Sequence, residues 1–356
     1  MKQALEITEE IANRYRIEFG KDKSKMLIIG KSRQTKNIEM NMLPSINEMK
    51  IETTHHYKYL GLTINDKFNL EQHIKQVIGK TEAAYQTILT ILCNKEFLRL
   101  EMKIMWKLVE TCIIPTITYA METMELTKTE KNSLNKLLDN IIKRILKTPQ
   151  GTPRESLYIE SNLLDIETII EKKRIGMMYR IHQHPNTITE EVTKPTSKWM
   201  INTQEITKKY NIDKDYLLNL PKRKAKKLIR KSVQKTFRKK IMANMENKTK
   251  IDYLLKHYTP GKKTNYTNNL NRQEVSTLFK TRTRMIDIKG NYKNKYPDQT
   301  CRLCKNNNET QEHVLQECRI TVEKKNLKTT MYNLSARSST IQRKTIRKIQ
   351  EIIELL

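Results

Sequence analysis

The sequence predicts an α+β protein, mostly α: a small antiparallel sheet with a helix at the N-terminus, then a helical bundle, a basic helical connector and a small zinc module. Three observations predict it. Short runs of strand type are confined to the first 66 or so residues, and apolar residues from about 70 onward recur at helical spacing. Three of the five cysteines and one of the seven histidines fall within residues 301–318.

The elements follow in order. Ala4, Ile7, Ile11 and Tyr15 recur at spacings of three and four, which predicts one face of a helix ending near Gly20. "KMLIIG" (25–30) and "NIEMNM" (37–42) read as short strands, the second alternating through Ile38, Met40 and Met42 and stopped by Pro44. "YKYLGLTIN" (57–65) is aromatic and β-branched, and Gly61 within it predicts a tight bend. Residues 1–68 therefore form a first domain. In 69–185 the period is helical: Ile74, Val77, Ile78, Ala84, Tyr85, Ile88 and Leu92 make one stripe, and Met105, Leu108, Val109 and Cys112 continue it. "EKNSLNKLLDNIIKRILK" predicts another helix, "TPQGTP" (148–153) a break, and Pro153 the start of a pattern whose interruption near Asn162 divides it into two helices. Residues 186–290 are more polar, with Pro185, Pro195, Pro221 and Pro260 spaced as connectors between helices. Residues 291–321 hold the cysteine cluster, and 322–356 is a Lys-rich helical tail ending "IRKIQEIIELL".

Charge narrows the function. Lys plus Arg outnumber Asp plus Glu by 68 to 39, a formal charge of +29 with a pI near 9.8, so the partners expected are polyanions, RNA and DNA before any membrane. The longest apolar run, "TCIIPTITYAM", is too short to span a bilayer and is broken by Pro115. The N-terminus alternates charged and apolar residues and so reads as no secretory signal; the expected location is intracellular, nucleus or cytoplasm, with thiols reduced. A chain rich in Lys, Asn and Ile could owe its charge to composition alone, but composition spreads charge evenly. Residues 221–240 hold eleven Lys or Arg and no acid. That segment is amphipathic, with Ala225, Leu228, Ser232, Phe237 and Ile241 on one side. Three readings fit it: solvated surface, a nuclear-import signal in "PKRKAKK", or phosphate tracking by Lys222, Arg223, Lys224, Lys226, Lys227, Arg230 and Lys231. Its lack of any acid favours nucleic acid.

Cys301, Cys304, His313 and Cys318 spell C-x2-C-x8-H-x4-C. Cysteines two apart bend round one ion, and a His followed five positions later by Cys reaches it from a short helix and its end. Thiolate and imidazole suit Zn²⁺, and four such ligands leave no open position, so the expected site is structural. Arg302 and Lys305, with Lys293 and Lys295, favour a phosphate backbone nearby. Cys93 and Cys112 read as core residues, and His55, His56, His73, His182, His184 and His257 as surface or capping residues.

Several segments resemble one family. "ALEITEEIANRYRIEFGKDKSKMLIIGK" (4–31), with Phe19, Lys23, Ser24, Lys25 and Met26, resembles the helix and strand that follow the catalytic strand of non-LTR (LINE-type) retrotransposon reverse transcriptases. "YKYLGLTIN", with His73 and Ile74, is similar to their primer grip, "LVETCIIPTITYAME" to their thumb, and "LFKTRTRMIDIKGNYKNKYPDQTCRLCKNNNETQEHVLQEC" to their C-terminal zinc knuckle. The Cys304 to His313 spacing is longer than in short retroviral knuckles. The resemblance implies a rear-of-palm remnant at 1–68, a thumb at 69–185, a connector and a knuckle. It places a primer-grip-like turn at Tyr57, Tyr59, Leu60 and Gly61, and nucleic-acid contacts at Lys23 and Lys25.

Such enzymes hold two divalent ions, Mg²⁺ in an intact parent enzyme, on aspartates in a Y-x-D-D strand and an earlier one. This sequence has no Asp-Asp pair; its nearest approach is Asp213 and Asp215 in the polar connector. The expectation is a truncated reverse transcriptase that binds nucleic acid and zinc without polymerising alone, its partners being a template–primer duplex or target DNA and the missing N-terminal polymerase half. Two alternatives stand beside it: a host-retained, non-enzymatic zinc protein that binds nucleic acid, and a full polymerase cut short by a wrong gene start.

Overall fold

The computed structural model describes residues 2–20, 23–29, 45–46, 49–67, 69–93, 101–246, 248–257, 270–321 and 339–356. The strand expected at 37–42 lies outside them, and so do the side chain of Cys93 and the first part of the tail. The described residues are mostly helical, with three two-stranded ladders, an α+β chain dominated by α. They divide into two compact units, residues 1–79 and 80–356.

The first unit contains helix α1 (Lys2–Arg14) and six strands: β1 (Lys25–Leu27), β2 (Ser45–Ile46), β3 (Met49–Lys50), β4 (Glu52–Thr54), β5 (His56–Tyr59) and β6 (Leu62–Asn65). β2–β3 and β5–β6 are antiparallel, as expected, whereas β1 and β4 pair in parallel with Lys25 opposite Glu52. The long connection between β1 and β4 permits what a hairpin cannot. The bend expected at Gly61 is a two-residue turn in which both central residues are left-handed, Leu60 at φ 46° and Gly61 at φ 85°. That is the turn whose twist matches a hairpin, and Gly61 adopts it at no steric cost. The apolar face read into α1 is not the buried one. Ala12 is buried, whereas Ile7, Ile11 and Tyr15 are exposed; among the described elements the helix packs mainly on the two-residue β2. His73, read as a surface residue, is buried and accepts a hydrogen bond from the Thr63 amide at 3.4 Å.

Helix α2 (Glu71–Cys93) is followed in the second unit by α3 (Met102–Leu108), a π-helical turn (Val109–Ile113) and α4 (Ile114–Ile117). Pro115 has no N–H, so the carbonyl four residues before it loses its partner, and a π-turn is one way a helix accommodates this. The extra residue rotates the helix face: Val109, Ile113 and Ile117 are buried, while Cys112, expected in the core, is exposed. Helix α5 (Lys128–Leu146) opens on a capping box, the Thr127 hydroxyl accepting from the Glu130 amide while Glu130 accepts from the Thr127 amide. It buries Leu134, Leu138, Ile141, Ile142 and Ile145. At about 1.5–3 kcal/mol for each buried side chain, packing rather than propensity holds this Lys- and Asn-rich helix.

The break expected near Asn162 is real: α6 (Arg154–Ser161) starts after Pro153 and ends at a left-handed Asn162, and α7 (Ile166–Gln183) is capped by Asp165. Then come α8 (Thr187–Thr193), α9 (Lys198–Lys209), α10 (Lys214–Leu218), α11 (Lys222–Met245), α12 (Asp252–His257), α13 (Arg272–Arg282) and, in the tail, α14 (Ser339–Leu355). Asp213 caps α10, accepting from the Tyr216 amide at 2.7 Å. Helix α7 contacts α5, α8, α9, α10 and α11. Ile175, Met178 and Tyr179 on α7 share a core with Met200, Leu217, Ala225, Ile229 and Val233. Buried charge on α7 is paired. Arg174 donates to the Thr203 hydroxyl (2.8 Å), the Met124 and Trp199 carbonyls and Glu125, and Glu171 accepts from Lys209 and Tyr210. Leaving one partner of such a pair alone costs more than the pair contributes, so these clamps fix which helices meet α7.

Candidate metal centre and basic surface

The Cys/His cluster is assembled by two local turns. The Cys301 amide donates to the Asn307 carbonyl at 2.7 Å, the Lys305 amide to the Cys301 carbonyl at 3.0 Å, and Thr300 bridges Asn308, folding 300–308 into a knuckle with Lys305 left-handed at φ 60°. His313 opens a π-helical turn (His313–Glu317), and the Cys318 amide closes it on the His313 carbonyl at 2.7 Å. A π-turn bonds residues five apart, so H-x4-C spacing puts both side chains at one end of one turn. All four residues are buried, their ligand atoms lie within 4.8 Å of one another, and Cys304 Sγ is 3.3 Å from His313 Nε2. The arrangement can hold a metal ion.

The electrostatics favour it. Backbone amides of Asn306 and Asn307, helped by His313 and Cys301, lower the Cys304 thiol to about 6, so its sulfur is largely thiolate at neutral pH. Burial pushes the Cys301 thiol up, against amides of Cys304 and Leu303 that pull it down. Gly290 closes the back of the knuckle. Its amide donates to the Glu309 carbonyl at 2.9 Å, and a Cβ at this position would sit 2.9 Å from that same oxygen.

Arg302 and Lys305 have different surroundings. Arg302 forks onto the fully buried Glu309 carboxylate (2.6 and 3.0 Å), donates to the Asp287 carbonyl at 2.7 Å and lies over the Tyr296 ring. This guanidinium ties the knuckle to residues 287–296 through its Nε and Nη2 donors. Lys305 is exposed at the tip. Lys295 pairs with Asp287 at 3.0 Å.

Helix α11 carries the basic segment. Its buried residues are Ala225, Ile229, Val233, Phe237, Ile241 and Met245, with Leu228 and Ser232 of the expected stripe only half-buried. Steps of four advance about 400° on a 3.6-residue helix, so this stripe winds by roughly 200° along its length. The helix accordingly contacts α7 and α10, and also α6 and α12. Lys222, Arg223, Lys224, Lys226, Lys227, Arg230 and Lys231 are exposed, and none of them forms an ion pair among the described residues. Farther along, Lys240 lies 3.8 Å from Asp165.

One residue that the sequence reading passed over joins this surface. Lys172 on α7 is half-buried beside Lys226 and Arg230; burial lowers its pKa, Glu110 partly restores it, and Arg230, Lys226 and Lys173 lower it further. No local signal marks it, since its neighbours come from a helix more than fifty positions away.

The remaining candidates sit in the first unit. The Lys23 carbonyl accepts from the Tyr57 hydroxyl at 2.7 Å, so these two positions do meet. Lys25 Nζ pairs with Glu52 at 2.5 Å across the parallel ladder and is engaged there. Tyr59 and Leu60 are exposed at the hairpin tip, beside Gly61. No helix among the described residues is long and apolar enough to cross a membrane. No protein-family model matches the chain, and no curated protein matches it.

Proposed function

We propose that this chain binds nucleic acid through the phosphate backbone and that its Cys₃His cluster holds a structural zinc ion. The observation that carries the reading is the outer face of α11: seven exposed cations in ten residues, without an acid, on a helix whose other side is packed into the core. Lys and Arg in that arrangement neutralise phosphates and read little sequence. Lys172 widens the surface onto α7.

Zinc fits the cluster by its donors and by its size. Tetrahedral Zn–S bonds near 2.3 Å put ligand sulfurs about 3.7 Å apart, which a set confined to 4.8 Å meets with small adjustment. With three thiolates and one imidazole the shell is full, and the ion would order the knuckle and catalyse nothing.

The family reading remains part of the proposal: a LINE-type reverse transcriptase segment with palm-rear, thumb, connector and knuckle parts, to which no polymerase centre is assigned. It is supported by the ordered motifs of the sequence, by the hairpin turn at Leu60–Gly61 and by the knuckle geometry.

The test is a salt series of oligonucleotide binding by anisotropy. Wild type should give a steep fall of log K with log salt, at about 0.9 per phosphate neutralised on duplex. Replacing Lys222, Arg223, Lys224, Lys226 and Lys227 by Gln should weaken binding to all sequences alike and flatten that slope. A loss confined to one sequence, or an unchanged slope, would remove α11 as the interface.

A further inference from the structure

A second cationic site lies away from α11. A groove of about 850 Å³ opens between the C-terminal end of α5, helix α13 and helix α14, with Lys147 and Lys280 on its wall. Lys280 is half-buried and its ammonium makes no hydrogen bond or ion pair among the described residues. Lys147 follows the last turn of α5 in the left-handed conformation, φ 51°, where Gly or Asn would be the comfortable residue. Among the described residues its ammonium reaches only the neutral side chain of Gln273, at 3.2 Å.

The carboxylates that line the groove do not neutralise this pair. Asp287 is taken up by Lys295 at 3.0 Å and by the Tyr296 hydroxyl at 2.9 Å. Glu354 on α14 is exposed and makes no ion pair among the described residues. Burial, and then the charge of Lys147, both lower the Lys280 pKa, so the two ammoniums repel each other across a space where Glu354 is the acid without an ion pair among the described residues. Two like charges held at one concavity are relieved by an anion between them, and ammonium groups are compact donors for phosphoryl oxygens.

We propose that this groove is a phosphate-binding site whose two cationic arms are Lys147 and Lys280, taking a phosphoryl group carried either by a nucleic-acid backbone or by a free nucleotide. The site draws on α5, α13 and α14 and does not rest on the reading of α11. Gln273, Thr148 and Thr277 line the same space and add neutral polar groups.

The experiment is calorimetric titration of the full chain with pyrophosphate at constant ionic strength. A saturable one-site isotherm is expected. Lys147→Gln with Lys280→Gln should weaken it by about tenfold or more, the scale of losing charge-assisted hydrogen bonds. Glu354→Gln should tighten it several-fold, a gain that misfolding cannot imitate. The five-Gln α11 variant should bind pyrophosphate as wild type does, so failure here and failure of the α11 interface are separable. Displacement of pyrophosphate by a ten-nucleotide oligomer but not by a mononucleotide assigns the backbone as ligand, and the reverse assigns the nucleotide. The proposal is overturned by a linear, non-saturating titration, by an undiminished double variant, by weaker binding in Glu354→Gln, or by displacement with neither competitor.

Discussion

At the scale of single residues, the cysteine cluster was legible because metal ligation is written in short spacings and in residue types that do little else. The charged candidates were less so, since whether a cation is free depends on which acid the fold brings to it. Lys25 meets Glu52 through a strand pairing that no local pattern announces, and Arg302 is claimed by a Glu309 that is fully buried only once the knuckle closes. The cations from Lys222 to Lys231 are exposed without an ion pair among the described residues, as a segment with no competing acid would leave them. Gly290 was passed over in the sequence, yet it decides whether the knuckle can close. Its amide bond to Glu309 requires backbones so close that a Cβ would stand 2.9 Å from the carbonyl oxygen and 3.2 Å from Thr310 Cα. Both atoms are main chain and cannot swing aside. Gly290→Ala should therefore destabilise the protein by about 1–3 kcal/mol, the usual cost of overpacking, measured as a fall in the urea midpoint. A midpoint equal to wild type would show that the approach relaxes freely.

At the scale of elements, the helices were legible where the apolar period ran unbroken and failed where something altered it. The π-turn at Val109–Ile113 sends Cys112 outward, and the winding stripe of α11 exchanges Leu228 and Ser232 for Ile229 and Val233. In α1 the period was real but the described sheet is too narrow to cover it. The junction of α5, α6 and α7 shows what the sequence hides altogether. There Asp139 accepts from the Tyr158 hydroxyl at 2.5 Å and from Arg154, and Arg154 also reaches Asp165. Burial raises the Asp139 pKa by more than Tyr158 and Arg154 lower it. The folded protein then binds this proton more tightly than the unfolded chain, whose carboxyl titrates near 3.9, so stability from this group falls as pH rises from about 4 through the raised folded value. Asp139→Asn cannot titrate and should lose that slope. Urea midpoints measured from about pH 4 to 7 for both proteins would show it, and parallel curves would refute it.

For the whole molecule, the question is how far an ion held by the cluster would act beyond eighteen residues. The knuckle is not an appendage. Gln311 Nε2 donates to the Thr281 carbonyl at 2.8 Å, and Arg284 pairs with Glu312 at 2.6 Å, which joins the knuckle to α13 and the turn that follows it. Helix α13 in turn donates from Arg272 to the Ile145 and Arg144 carbonyls and from Ser276 to the Leu146 carbonyl, closing the C-terminus of α5. Helix α14 packs on α13 and on the π-turn that carries His313. These links make a continuous path from the cysteine cluster to the α5–α7 core. Apparent zinc affinities of small modules, on the order of 10–16 kcal/mol, are comparable to the whole stability of a domain, about 5–15 kcal/mol, so removing the proposed ion should be felt well outside the knuckle. Chelation should lower the midpoint of the main thermal transition, not merely remove a small early one, and adding Zn²⁺ back should restore it. The discriminating measurement is calorimetry with and without chelator. A main transition that keeps its midpoint while a separate minor one disappears would mean that the knuckle folds independently and that α13 belongs to the core without it.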